Sequence, residues 1–300
     1  MSFVVCGEAL VDLIPSAGGD GKQETIWRAL SGGGPLNTAT ALARLGEKVE
    51  FLGRFGRDSF AIQLRNHLLS SGVALNFAID STDSTSLAVV SLDDSGKASY
   101  TFHFAETANF GWQSDDFPEL KSTDWLHFGS VGAVLDPGAD LIADFVANTP
   151  AKLSYDINIR PAIIPDKDSY RRKVTRLLKA VGNSNGVIKA SDEDIELLLD
   201  DRKVDPTDIA SSWIQQYGAA VVVVTLGENG ALAVTEDQML QVSGHKVDLV
   251  DTVGAGDTFM AGFLAAYSQN PKNLEYALSY GVAASAIVCT RQGANPPTKT

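Results

Sequence analysis

Short, nearly unbroken apolar runs alternate along this chain with segments whose apolar positions recur at helical spacing. The runs at residues 3–6, 50–53, 125–128, 152–156, 186–189 and 220–225 have strand length. Several lack polar alternation, as parallel strands covered on both faces do. Between them the spacing predicts helices over residues 36–45, 60–71, 139–147, 170–181 and 208–217. Three of these helices stop at Gly46, Gly72 and Gly218, and glycine ends helices readily because it accepts a positive φ. Strands and helices in this alternation predict an α/β sandwich.

Three stretches break the alternation. Residues 25–30, 86–92 and 98–104 read as strands with no helix between them. The last two flank Asp93-Asp94-Ser95-Gly96-Lys97, a hairpin-like turn. Together they predict a small accessory sheet. The length gives a prior of two domains, or one large domain with an appendage, and no internal repeat, low-complexity segment or long linker marks a clean boundary in the 300 residues.

Composition narrows the function classes. Lys and Arg number 24 against 37 Asp and Glu, a formal charge of −13. A surface this acidic repels a phosphate backbone, so no nucleic-acid partner is expected. The densest basic run, Arg171-Arg172-Lys173, reads as a solvated helix face. No apolar stretch reaches the ~18 residues that a membrane-spanning helix needs, and residues 1–16, which read as a first strand, lack the basic lead of a signal peptide. Two isolated thiols, Cys6 and Cys289, in apolar runs point to a reducing compartment, and a cytoplasmic location is the expectation. There is neither a CxxC nor an HExxH pair to suggest zinc.

The densest chemistry lies in Asp251-Thr-Val-Gly254-Ala255-Gly256-Asp257-Thr258, followed by an apolar helix. A glycine turn feeding a helix points N–H groups at one spot, with the positive end of the helix dipole behind them. That arrangement holds an anion. A carboxylate at Asp257 repels a bound phosphate unless it must meet a hydroxyl beside it. Asp257 also fits a plain helix cap. A second segment, Ser31-Gly32-Gly33-Gly34-Pro35-Leu36-Asn37, strips side chains so that a ligand can approach the backbone. Asn37 there offers a donor and an acceptor suited to sugar hydroxyls, or to capping its neighbours. A third segment, Asp156-Ile-Asn158-Ile-Arg160, ends a strand; Arg160 could clamp phosphate oxygens there or pair with a surface acid. His103 is a candidate sugar contact or a structural histidine. None of these segments is a P-loop, and Gly254-Ala-Gly256-Asp lacks the third glycine of a dinucleotide fingerprint.

Taken together, the chain resembles the ribokinase-like (PfkB-type) carbohydrate kinases over its whole length. Residues 31–46 look like the family's N-terminal signature and residues 251–262 like its C-terminal one. The segments Gly7-Glu8-Ala9-Leu10-Val11-Asp12, Asp156 to Arg160, Lys189-Ala-Ser-Asp-Glu-Asp194 and Arg291-Gln-Gly-Ala294 look most like the fructokinase branch. The resemblance implies a single domain over residues 1–300, a three-layer αβα sandwich with a mainly parallel central sheet. It also implies a small β-sheet lid, drawn from about residues 13–31 and 86–105. It implies transfer of the ATP γ-phosphoryl group to a sugar hydroxymethyl, with Mg2+. Asp257 would then be the general base, and the N–H groups of Gly254, Ala255 and Gly256 the anion hole. Arg160 would steady the moving phosphate. Asp12, Gly32, Gly33, Asn37 and His103 would face the sugar. Lys189, Ser191, Thr225, Gly227, Gly230 and Gly256 would face the nucleotide.

Two departures from the family pattern touch metals. Its N-x-x-E motif, which organises magnesium through water, reads here as Ser191 and Asp194. Asp251 and the Val253 carbonyl match part of the family's monovalent-cation site, where potassium is a candidate, yet Pro297 stands where serine is common. Pairing of lid strands in a homodimer is left open.

For the substrate, no arginine occurs between Arg65 and Arg160. A sugar acid would therefore lose its usual partner on the lid segment 100–109, and a neutral sugar is favoured. Fructose, giving fructose 6-phosphate, is the first expectation. Ribose, 2-keto-3-deoxygluconate and nucleosides are the alternatives.

Overall fold

The computed structural model describes residues 1–19, 22–92, 98–164, 166–200 and 204–299. The chain runs β1 (Phe3–Cys6), β2 (Leu10–Pro15), β3 (Trp27–Gly32), α1 (Gly34–Arg44), β4 (Val49–Phe55), α2 (Ser59–Ser70), β5 (Ala78–Asp80), β6 (Leu87–Leu92) and β7 (Ala98–His103). It continues β8 (Trp125–Gly129), α3 (Ala139–Asn148), β9 (Lys152–Asp156), α4 (Lys167–Asn183), β10 (Val187–Ser191), α5 (Asp192–Leu199), α6 (Pro206–Tyr217), β11 (Val221–Thr225), β12 (Ala231–Val234), β13 (Met239–Val242), α7 (Ala255–Gln269) and α8 (Leu274–Cys289).

A nine-stranded sheet in the order β13-β12-β11-β10-β9-β8-β1-β4-β5 forms the centre. Its pairs are parallel from β11 to β5, and β12 and β13 close one edge as antiparallel strands. Side chains alternate between two cores, as the period of two demands. Phe3 and Val5 join α1, α2, α7 and α8 on one face. Val4 and Cys6 join α3, α4, α5 and α6 on the other. Both faces are covered by apolar side chains, so the strands read as unbroken apolar runs.

The accessory sheet has the order β3-β2-β6-β7. The turn expected at residues 93–97 lies outside the described residues. One expected element needs correcting: residues 1–16 do not form a single first strand. Gly7 splits them, because a Cβ there would collide with the Pro35 ring. The chain bends away at Glu8 and continues as β2 in the other sheet. It returns through β3 into α1, so Gly32–Gly34 mark the second crossing between the sheets.

Strand β1 is the switch point of the large sheet. The chain goes from β1 by way of α1 to β4 on one side, and β8 lies on the other. Ligand crevices in open α/β sheets form outside the carboxyl ends of strands at such a point. Among the described residues, no helix is long and apolar enough to cross a membrane.

Candidate active site

Helix α7 starts at Ala255, with Gly254 as its N-cap at φ 76°. Only glycine holds that conformation at no steric cost, and a Cβ there would also lie 2.7 Å from the Ala294 Cβ. Asp257 is therefore not the cap; it sits within the first turn, and no side chain caps this helix. Its carboxylate turns instead to α1, where the Asn37 amide donates to Asp257 Oδ2 at 2.8 Å. The Thr38 hydroxyl reaches the Asp257 carbonyl at 3.5 Å. The Ala255 N–H closes a turn onto the Thr252 carbonyl at 3.1 Å. Of the expected anion-hole donors, Ala255 is thus already engaged. The first-turn N–H groups of Gly256 and Asp257 have no acceptor within the helix, as at any helix start.

Lys189, on β10, lies beneath this turn. Its ammonium donates to Asp156 Oδ1 at 3.0 Å and to Oδ2 at 2.9 Å, and both residues are buried. A Cβ on Gly256 would stand 3.0 Å from Lys189 Nζ, so the glycine lets the turn settle onto the ammonium. Burial pulls Lys189 down, but Asp156 above all, with Asp194 and Asp257, outweighs it and holds the amine above the usual lysine range. Burial pushes the Asp257 carboxyl up, while Asn37, Lys189 and Arg160 pull it back.

The glycine-rich crossing lines the other wall. Asp12, on β2, sits where a Gly32 side chain would be, and burial, opposed by Arg160, pushes it up to about 6. Gly33, at φ 112°, caps α1 and presses on the Glu8 carbonyl. A Cβ on Gly34 would meet Asn158 Nδ2 at 2.8 Å and Asp257 Oδ1 at 3.4 Å, so this glycine keeps the space beside Asp257 clear. Arg160 is exposed, donates to Asn158 Oδ1 at 2.6 Å, and lends its positive field to Asp12, Glu8 and Asp257. Asp12, Gly34, Asn37, Asn158, Arg160 and Asp257 thus come together around the start of α7, with Lys189 buried beneath them.

Other expected residues stand elsewhere or have tasks of their own. His103 ends β7 opposite Leu87, on an exposed position of the lid. Ser191 and Asp194 form a capping box for α5. Asp194 accepts from the N–H groups of Ile159 (2.7 Å) and Ser191 (2.8 Å), so both carboxylate oxygens already brace backbone. Thr225 ends β11 beside Ser191. Gly227, at φ 56°, borders open space, with no atom within 4 Å of where a Cβ would be. Gly230 has a packing reason: a Cβ there would collide with the Val242 carbonyl across the β12–β13 edge. Asp251 accepts from the N–H groups of Val253 (3.0 Å) and Gly293 (2.8 Å), and ties the glycine turn to the C-terminal segment. In the lid segment 100–109, Asn109 is buried and clasps both backbone groups of Ala9.

Glu8 was not among the residues expected at the site. It is buried, and it accepts from the N–H groups of Gly132 (2.9 Å) and Gly34 (3.3 Å). Burial pushes its carboxyl up to about 7. An acid wedged between two apolar runs was the available signal. Asp156 and Asn158 lie in a quoted segment, yet only the fold shows them facing Lys189 and Gly34.

A family model described as pfkB family carbohydrate kinase matches residues 2–300. The chain is similar to a fructokinase of Vibrio alginolyticus, at 34% identity over 310 residues, covering 99% of this chain and 96% of that one. It is similar to probable fructokinase-4 of Arabidopsis thaliana, at 31% over 313 residues, covering 99% and 94%. Among solved structures it resembles the fructokinase from Vibrio cholerae O395 in its fructose, ADP and calcium ion bound form. The TM-score there is 0.83 at 30% identity, over 98% of this chain and 94% of that one.

Proposed function

This chain belongs to the pfkB family of carbohydrate kinases, and from that premise we propose that it transfers the γ-phosphoryl group of ATP to the 6-hydroxyl of fructose. The observation that carries the reading is the Asp257 carboxylate, held by Asn37 beside the open start of α7. A phosphoryl acceptor needs its hydroxyl proton removed and the travelling charge stabilised, and little covalent help besides.

Asp257 accepts the hydroxyl proton as the sugar oxygen bonds to phosphorus and the bond to the departing ADP breaks. The free N–H groups of Gly256 and Asp257 in the α7 first turn face the charge on the moving phosphoryl. Arg160 reaches over the crevice from the loop after β9. Asp12 and Asn37 offer acceptors and a donor to sugar hydroxyls, beside the backbone bared by Gly32 and Gly33. The β3-β2-β6-β7 sheet covers that side as a lid and keeps water from the phosphoryl group. Thr225 and Gly227 flank the nucleotide. Relatives similar over nearly the full length are named fructokinase, which supports the choice of sugar.

The chemistry of magnesium, charge neutralisation between the phosphates, travels with ATP. Among the described residues no group of three or more His, Cys, Asp or Glu could hold a metal ion, and Asp194 is committed to backbone N–H groups. These residues do not fit a magnesium cage built by the protein alone, and no step is assigned to one. Asp251, the expected potassium neighbour, already braces its loop through the N–H groups of Val253 and Gly293.

A panel of fructose, ribose, 2-keto-3-deoxygluconate and a nucleoside, assayed for ADP release with ATP and Mg2+, with and without K+, tests the reading. Fructose should give the highest kcat/KM. A higher value for any other acceptor overturns the assignment.

A further inference from the structure

We propose that Lys189 is a positioning residue for phosphoryl transfer: a buried, fixed cation behind the α7 turn that offsets charge on the moving phosphoryl group without touching the nucleotide. This rests on the kinase reading above, and differs from the sequence expectation that Lys189 faces the nucleotide.

The geometry supports it in three ways. First, Lys189 is only 3% exposed, and Gly256 stands between it and the crevice. Its ammonium lies 3.0 Å from the place of a Gly256 Cβ, so it backs the turn that faces the ligand. Second, the two bonds to Asp156 leave a third ammonium proton uncommitted to that carboxylate. Third, the pair is placed unlike one that serves packing alone. A buried ion pair is weak support for stability, because desolvation of both charges offsets their attraction. This one sits at the carboxyl ends of β9 and β10, where ligands bind in such sheets.

The groups facing Lys189 are Asp156 from β9, Asp194 from α5, Asp257 from α7 and His127 from β8. His127 is buried against Ser154 and pushed down to about 3, chiefly by burial, so it carries no charge. Asp257 is faced also by Asn37 from α1 and by Arg160. Among the described residues, Lys189 is the one buried cation that faces these three carboxylates. It has a second effect: its field favours the ionised form of Asp257, the form that accepts a proton.

The test compares wild type with K189M/D156N, which removes both charges at nearly constant volume, and with K189Q, which keeps a donor toward Asp156. Tm, Kd for ATP, kcat for fructose and the pH profile of kcat are measured for each. Both variants should hold Kd for ATP within about threefold while kcat falls by about tenfold to 10²-fold, the scale of an unsupported catalytic group. The acid limb of kcat should move to higher pH in K189Q, because Asp257 loses a neighbouring cation while the Asp156 charge that also faces it stays; in K189M/D156N the loss of both charges offsets that shift. A merely structural pair would be restored by the charge-neutral double substitution. A kcat within threefold of wild type in either variant, or an unmoved acid limb in K189Q, overturns the proposal. If K189M/D156N does not fold, K189Q decides by the same criteria. Inactive wild type overturns the kinase reading and this one with it. Active wild type with undiminished variants overturns the role of Lys189 alone.

Discussion

Asn37 donates its side-chain amide to Asp257 Oδ2 at 2.8 Å, across 220 positions of chain. The contact joins the first turn of α1 to the first turn of α7, and so links the two glycine-rich segments. It fixes the direction of the carboxylate and favours its ionised form.

Removing that amide therefore tests both effects. Asn37→Ala should lower kcat about 10–10²-fold, a loss typical of a misplaced catalytic group. The acid limb of kcat should move up, since a hydrogen bond that pulls Asp257 down is gone. KM for the sugar should rise as well, because Asn37 faces it. A pH-rate profile superimposable on wild type would contradict the orienting role.

Gly256 is the position where a side chain does most harm. A Cβ would stand 3.0 Å from Lys189 Nζ, and Val adds two methyl groups between the ammonium and the turn. Gly256→Val should weaken ATP binding and lower kcat, each by roughly tenfold or more. Calorimetric titration with ATP and steady-state assays measure the two effects. Unchanged affinity and rate would remove the α7 turn from the nucleotide site.

Glu8 gives the protein a pH-dependent stability. Burial raises it from 4.5 to about 7, so between these values the folded chain holds a proton that the unfolded chain releases. The contribution is fully present below about pH 4.5 and is lost as pH rises through about 7, by about 3 kcal/mol. Asp12, raised to about 6, acts with the same sign. Glu8→Gln should show a smaller fall in Tm between pH 5 and 8 than wild type does, measured by calorimetry. An equal fall would mean that the Glu8 carboxyl is not buried as described.

Much of the fold is legible in the sequence, for physical reasons. Strands covered on both faces read as apolar runs, and Gly46, Gly72 and Gly218 mark helix ends through positive φ. The elements that escape notice are those whose surroundings blur the period. Helix α8 packs closely on α7 and is apolar on most sides, so no face stands out. Strand β13 is a half-exposed edge of four residues, and β5 has three. Residues 10–15 read on from β1 because nothing local announces that β2 joins another sheet.

The site divides in the same way. Its glycine turns are visible as motifs, and Asp257 stands out beside one. What the sequence leaves open is whether Asp257 caps a helix or faces a ligand. The answer depends on Asn37, which only folding brings near. The Lys189–Asp156 pair and the grip of Glu8 on Gly34 and Gly132 are likewise long-range contacts between groups with no local spacing to betray them.

The central claim is that Asp257 takes the proton from the sugar hydroxyl. The measurement that meets it most directly is kcat of Asp257→Asn with fructose and ATP, paired with fructose binding by calorimetry. Asn keeps the shape and a hydrogen-bonding partner for Asn37 but cannot serve as the base. The account predicts fructose affinity near that of wild type and kcat lower by about 10²–10⁴-fold. A variant that turns over at near wild-type kcat would contradict it.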